Sequence, residues 1–233
     1  MKLNKAMILA AGEGTRLRPL TNAVPKPLVK VNEHTLIDYA LNLLNRLKFK
    51  EVKINTHYRK EDIKKFLNNK NYNFNIDLIE EKNLLDTGGG IFNATGSYDQ
   101  EPFLVLNPDT IWGRDYDQEI EKMTQSYFEN NLPILLLVNK KISYDKSFKG
   151  DFNLDAKNIV RRDTTNNEYI YTGAQILTRA NFSNIKEKIF SMNIIWDQLI
   201  KNNQLLGFES KNIFYHINSV KSYEEVLKLK VKY

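Results

Sequence analysis

Residues Ala6 to Thr21 read A-M-I-L-A-A-G-E-G-T-R-L-R-P-L-T, an apolar run that passes straight into a glycine loop carrying two arginines. The run Ala6 to Ala11 has the length and flanks of a buried strand. Gly12 and Gly14 remove the side chains that would keep a phosphate away from backbone N–H groups, and Arg16 adds a permanent, planar cation. The segment is therefore suited to holding a polyphosphate. Two better-known glycine loops are excluded. A Walker loop needs Lys followed by Ser or Thr after its last glycine, and a dinucleotide fingerprint needs a third glycine where this chain has Leu17. Pro19 also prevents an immediate long helix.

Outward from this stretch, strand-like and helix-like segments alternate through the first half of the chain, the pattern of crossover units on a mostly parallel sheet. Thr35 can cap a helix whose Leu36, Ile37, Ala40, Leu41, Leu44 and Leu47 recur at helical spacing. Strands are predicted at Glu51 to Asn55, Asn75 to Glu80, Phe103 to Leu106 and Ile134 to Val138, with helices over Glu61 to Leu67, from about Gly89, and beyond Asp115. A hairpin over Gly150 to Arg162 and a strand Tyr169 to Leu177 follow. Two helices, Ile185 to Phe190 and Ile195 to Ile200, a strand Leu205 to Phe208 and a charged helix from Ser222 complete the pattern. The expected fold class is α/β, a Rossmann-like, mostly parallel (mixed) sheet flanked by helices. The 233 residues carry no Pro/Gly/Ser-rich linker, which reads as one domain over 1–233.

Open sheets of this kind bind ligands outside the C-terminal ends of their strands. The glycine loop follows the first strand, Asn55 and His57 the second, Asp86 to Gly90 the third and Asp109 the fourth, so four suggestive loops share one edge. The absence of cysteine excludes disulfides, Cys-ligated zinc and a thiol nucleophile. A net charge of +6 raises nucleic-acid binding as a reading. The lysines, however, are scattered among Glu, Asp and Asn rather than gathered in a patch, which argues against it. No apolar run approaches a membrane span, and the N-terminus lacks the shape of a signal peptide, so the expectation is a soluble, cytoplasmic protein with no membrane partner.

The string L-A-A-G-E-G-T-R-L-R-P-L-T followed by P-K-P-L at Pro25 to Leu28 resembles the signature of the sugar-1-phosphate nucleotidyltransferases. D-T-G-G-G-I-F (Asp86 to Phe92), G-D-F (Gly150 to Phe152) and T-G (Thr172, Gly173) fall in the order seen in the N-acetylmuramate-1-phosphate uridylyltransferases of that family. The resemblance implies a nucleotide-binding part over about 1–112 and a sugar-phosphate part over about 113–233. It also implies nucleotidyl transfer from a nucleoside triphosphate to a sugar 1-phosphate with Mg²⁺ as cofactor, first UTP with N-acetylmuramate 1-phosphate, with GTP and mannose 1-phosphate, UTP or dTTP and a hexose 1-phosphate, or CTP and phosphocholine as competing pairs. The nucleotide would be held by Ala10, Ala11, Gly12, Gly14, Thr15, Arg16, Lys26, Asn55 and Gly88. Arg16, Lys26 and Asp109 would be catalytic, with Arg16 and Lys26 on the β- and γ-phosphates. Glu80, Asp151, Thr172 and Gly173, together with Glu81, would face the sugar phosphate.

The residues themselves bear on these roles. Asp109 ends L-V-L-N-P-D-T, and Mg²⁺ is typically held by one or two carboxylates with phosphates and water, although an Asp after a strand is also a turn former. Lys26 stands between Pro25 and Pro27, which stiffen the backbone presenting its ammonium. Three glycines at 88–90 suit close approach of a ligand at a helix start, while Asp86 could equally be a helix cap. His34 reads as surface and Trp196 as core. Relatives commonly carry a second metal-binding Asp in a D-x-G-T context where this chain reads Y-H-I-N-S-V, which puts His216 or Asn218 in that place. A one-metal site, a site completed by another carboxylate such as Asp151, and a binding module without turnover are all compatible with that change.

Overall fold

In the computed structural model, which describes residues 2–229, the opening apolar run forms strand β1 (Lys5–Leu9), inside a seven-stranded sheet. The glycine loop then makes one 3-10 turn and a single-turn helix, α1 (Leu20–Ala23). A small ribbon, β2 (Lys30–Val31) with β3 (His34–Thr35), leads into α2 (Leu36–Arg46). Crossover units continue with β4 (Glu51–Thr56), α3 (Lys60–Asn68), β5 (Asn75–Glu80), α4 (Asp86–Ala94), β6 (Phe103–Leu106), α5 (Asp115–Asn130) and β7 (Ile134–Asn139). The hairpin is β8 (Asn153–Leu154) with β9 (Val160–Arg161), and β10 (Tyr169–Leu177), α6 (Met192–Lys201), β11 (Leu206–Ser210) and α7 (Val220–Leu227) follow.

The sheet order is β11-β7-β10-β6-β1-β4-β5, with β10 antiparallel to both neighbours and every other pairing parallel. This is the expected mixed, mostly parallel α/β sheet. Alternation along each strand divides the core into two layers. Ala6 and Ile8 of β1 and Leu104 and Leu106 of β6 join α2 and α5 on one face. Met7, Phe103 and Val105 join Ile91 of α4 and Ile195 and Trp196 of α6 on the other. Both parts of the chain supply strands to the sheet. No helix among the described residues is long and apolar enough to cross a membrane.

Two readings from sequence need correction. The strand predicted through Ala11 ends at Leu9, because the Ala10 N–H donates to the Asn55 side chain (2.8 Å) and not to a neighbouring strand. The helix expected at 185–190 does not form. Phe190 is held by α4 instead: its N–H donates to the Leu85 carbonyl (3.1 Å), and its own carbonyl accepts from Gly88 (2.9 Å) and Gly89 (3.0 Å). Those backbone groups are unavailable to a local helix.

Helix α2 positions the first crossover, and its start is tied by a capping box. The Thr35 hydroxyl accepts from the Asp38 N–H (3.3 Å), while the Asp38 carboxylate accepts from the Thr35 N–H (3.1 Å). Thr35→Ala is expected to cost about 1 kcal/mol. In calorimetry that lowers the melting temperature by roughly 2–4 °C for a chain of this size, whereas Thr35→Ser retains the wild-type value.

Candidate active site

A cleft of about 580 Å³ opens at the C-terminal ends of β1, β4 and β6. This is where the strand order reverses direction about β1, the expected ligand position in an open α/β sheet. It gathers Ala10, Ala11, Gly12, Gly14, Thr15 and Arg16 of the glycine loop with Lys26, Asn55 and Asp109. A second cavity of about 610 Å³, between Leu47, Phe49, Ile120 and Phe128 at the opposite sheet edge, contains none of these residues.

The two loop glycines are needed for different reasons. A Cβ on Gly12 would project into open space, so this position lets the backbone face the cleft. Gly14 has φ +65°, and a Cβ there would stand 2.8 Å from the Lys26 Cβ. Gly14 therefore allows both the left-handed turn and the close packing that brings Lys26 beside the loop. Arg16 is exposed at the cleft, with no hydrogen bond or ion pair among the described residues. Arg18 is exposed outside it.

Lys26 Nζ reaches Asp109 Oδ2 at 2.5 Å, and His216 Nε2 lies 3.2 Å from the same oxygen. The Asp109 backbone is pinned: its carbonyl accepts from Ile217 N–H (2.8 Å), and on either side Asn107 N–H donates to the Gly173 carbonyl (2.8 Å) and Thr110 Oγ1 to the Thr172 carbonyl (2.6 Å). Burial alone would push the Asp109 carboxyl up, but Lys26 and His216 outweigh it and hold the group well below the usual carboxylate range. Asp109 is thus a firmly ionised carboxylate. Its other oxygen, Oδ1, is buried and has no hydrogen-bond partner. No group of three or more His, Asp or Glu among the described residues could hold a metal ion, and Oδ1 is a buried anionic oxygen left unspent at the cleft.

Asn55 is buried with both ends of its amide engaged: Oδ1 accepts from Ala10 N–H, and Nδ2 donates to Glu81 Oε1 (2.6 Å). Glu81 also accepts from Leu85 N–H (3.1 Å) and lines the cleft on the glycine-loop side, away from β10, where the sugar-phosphate residues were expected. The loops after β1 and β5 are joined to the end of β4 through this amide–carboxylate link. Glu81 was expected with Glu80 on the sugar-phosphate side; of the two adjacent glutamates, only Glu81 is buried and lines the cleft.

Other expected site residues stand apart from the cleft wall. Glu80 is exposed and pairs with Lys60. Gly88 is buried, its N–H is taken by Phe190, and its Cβ position lies 2.4 Å from the Phe190 ring, so the glycine serves loop packing and offers no free donor. Gly89 likewise leaves room for the Lys188 carbonyl. Asp151 is exposed and accepts from Tyr171 N–H (2.9 Å), and Thr172 Oγ1 is spent on the Leu136 carbonyl (2.9 Å). Gly173, at φ +96°, lies against Asn107. All three stand at the same sheet edge, on β10 and the segment it holds. His57 Nδ1 contacts the Glu81 carbonyl (2.7 Å). His216 and Asn218 both lie at the Asp109 end of the cleft, where the second carboxylate was looked for.

With this geometry in place, residues 5–142 match the nucleotidyl transferase family. The chain belongs to that family. It is 28% identical over 219 residues to an N-acetylmuramate alpha-1-phosphate uridylyltransferase of Caulobacter vibrioides, covering 91% of this chain and 90% of that protein. A protein of the same description from Neisseria meningitidis is 32% identical over 185 residues, 78% of each chain. In fold, the chain superposes on a UDP-glucose pyrophosphorylase complexed with UDP-glucose with a TM-score of 0.80, at 18% identity and 97% coverage of both chains. The nucleotidyltransferase is therefore of the sugar-1-phosphate type.

The packing role of Gly88 in this nucleotidyltransferase is open to direct test. Gly88→Ala is expected to displace Phe190 and cost about 1–3 kcal/mol, the usual range for overpacking, with faster proteolytic cleavage at 185–190. Gly12→Ala points into open space and leaves the melting temperature unchanged. Equal melting of the two variants would contradict this assignment.

Proposed function

We propose that the chain transfers a uridylyl group from UTP to N-acetylmuramate 1-phosphate, forming UDP-N-acetylmuramate and pyrophosphate. The observation that carries the chemistry is the cleft's division of labour: Arg16 on the glycine loop, unpaired among the described residues, shares the cleft with an ionised Asp109 whose Oδ1 is unspent. The choice of substrates is supported by the two uridylyltransferases that align with most of the chain. A cytoplasmic place in peptidoglycan recycling follows from that choice.

In this reaction an oxygen of the acceptor phosphate attacks the α-phosphorus of the nucleotide as the bond to pyrophosphate breaks. No protein nucleophile is required. Both reactants are anions, so positive charge held in line with the transfer does most of the catalytic work. The glycine loop offers its backbone to the triphosphate, and Arg16 pairs with the β- and γ-phosphates, stabilising the leaving group. Lys26 turns from Asp109 to the same phosphates. Asp109 Oδ1 would hold Mg²⁺, with Asn218 beside it in the cleft. Bound there, the cation offsets the repulsion between the two anions. His216 contributes a nitrogen where a second carboxylate would otherwise stand, which favours a single cation on Asp109.

Purified protein incubated with each nucleoside triphosphate, Mg²⁺ and a panel of sugar 1-phosphates is expected to release pyrophosphate with the highest kcat/KM for UTP with N-acetylmuramate 1-phosphate. A different preferred pair overturns the substrate choice, and no release from any pair overturns the enzyme reading. Asp109→Ala lowers kcat by at least about 100-fold, the scale of losing one preorganised electrostatic group, and chelation of Mg²⁺ abolishes turnover. Activity that survives either treatment contradicts the role of Asp109.

A further inference from the structure

Five buried side-chain atoms among the described residues have no hydrogen-bond partner, among them Asp109 Oδ1, His216 Nδ1 and the Tyr171 hydroxyl, and Tyr171 directly precedes the two residues whose carbonyls bind the Asp109 loop. His216 touches Asp109 directly. Burial, and to a lesser extent the Asp109 carboxylate, push the Tyr171 phenol well above the usual range. A buried phenol ordinarily finds a partner. This one has none among the described residues.

The strand order says which ligand could reach it. β1 carries the glycine loop, β6 next to it leads to Asp109, and β10 on the far side of β6 carries Tyr171. Asp109 therefore separates the triphosphate half of the site from Tyr171. The two residues after Tyr171 fasten the loops around Asp109, since the Thr172 and Gly173 carbonyls accept from Thr110 Oγ1 and Asn107 N–H. The Tyr171 N–H itself is held by Asp151 Oδ2.

The ring is equally well placed. Tyr171 packs edge-on against Trp196 with centroids 4.9 Å apart, and Trp196 is fixed by its own Nε1–H donating to Gln175 Oε1 at 2.9 Å. Phe152 meets the same indole edge-on at 5.6 Å. A rigid aromatic wall thus holds a hydroxyl whose only unspent capacity is hydrogen bonding. Such a group is preorganised, because binding costs it little further freedom.

The geometry points to Tyr171 as a substrate-contacting residue of the acceptor half of the site, its hydroxyl donating to an oxygen of the sugar 1-phosphate bound beyond Asp109. This rests on the function proposed above. It adds to that reading a residue whose contribution is made by a side chain, whereas its neighbours Thr172 and Gly173 act there through their backbone carbonyls.

Tyr171→Phe keeps the ring and removes only the hydroxyl. The KM for N-acetylmuramate 1-phosphate is expected to rise about tenfold, the scale of one hydrogen bond to a charged group, with the KM for UTP and the melting temperature unchanged. Tyr116→Phe removes another orphaned hydroxyl, on α5 and packed edge-on against Trp112, and should move neither constant. Calorimetric binding of N-acetylmuramate 1-phosphate and of glucose 1-phosphate, to protein saturated with a non-hydrolysable UTP analogue, gives a readout independent of turnover. Weaker binding in Tyr171→Phe supports the assignment even if the wild type releases no pyrophosphate. Normal turnover with both KM values unchanged, equal shifts in both, or the same shift from Tyr116→Phe overturns it while leaving the proposed reaction standing. Failure of the wild type to bind either sugar phosphate overturns both.

Discussion

The carboxylate of Asp109 is the charge on which the site depends. It is largely removed from water, yet it stays ionised because Lys26 and His216 converge on one of its oxygens. Removing a partner from a buried pair costs about 3–5 kcal/mol, far more than for an exposed, solvent-screened pair such as Arg59 with Asp62. That difference decides how the cleft can work. In the proposed reaction Lys26 would leave Asp109 at acceptable cost only when its charge is replaced, so engagement of the phosphates by Lys26 and neutralisation of Asp109 would be one coupled event.

The fold serves that requirement by bringing three distant parts of the chain to one sheet edge. Gly14 admits Lys26 from the first part through a contact no side chain would permit. The loop after β6 presents Asp109 from a backbone bound on both sides to β10. The segment before α7 supplies His216, beside a backbone link from Ile217 to Asp109. Asn55 and Glu81 tie the loops after β1 and β5 to the end of β4 in the same way, with a buried amide between a backbone N–H and a carboxylate. The site is preorganised because its loops hydrogen-bond to one another, not only to their own strands.

What could be read from sequence follows from this division. The glycine loop and Asp109 were legible because each follows an apolar strand, whose end is set by hydrophobic pattern, and Lys26 because it stands between two prolines in the P-K-P-L string. The residues beyond β7 were harder. Ile185 to Phe190 has helical spacing, but its backbone is consumed by α4, a contact between residues about a hundred positions apart that no local pattern encodes. The same contact explains Gly88: a run of three glycines signals close approach without saying whether a ligand or another loop does the approaching. Glu80 and Glu81 are neighbours of the same type, and strand alternation sends one to solvent and the other to the cleft. Tyr171 escaped notice because a tyrosine in an apolar strand is ordinary; only the absence of a partner for its hydroxyl marks it.

A crystal structure of the protein with UTP and Mg²⁺ tests the central claim most directly, through the position of Lys26 Nζ. The account predicts that the 2.5 Å contact with Asp109 is replaced by contacts to the β- or γ-phosphate, with Asp109 Oδ1 no longer without a partner. A triphosphate bound in the cleft while Lys26 remains on Asp109 would contradict it.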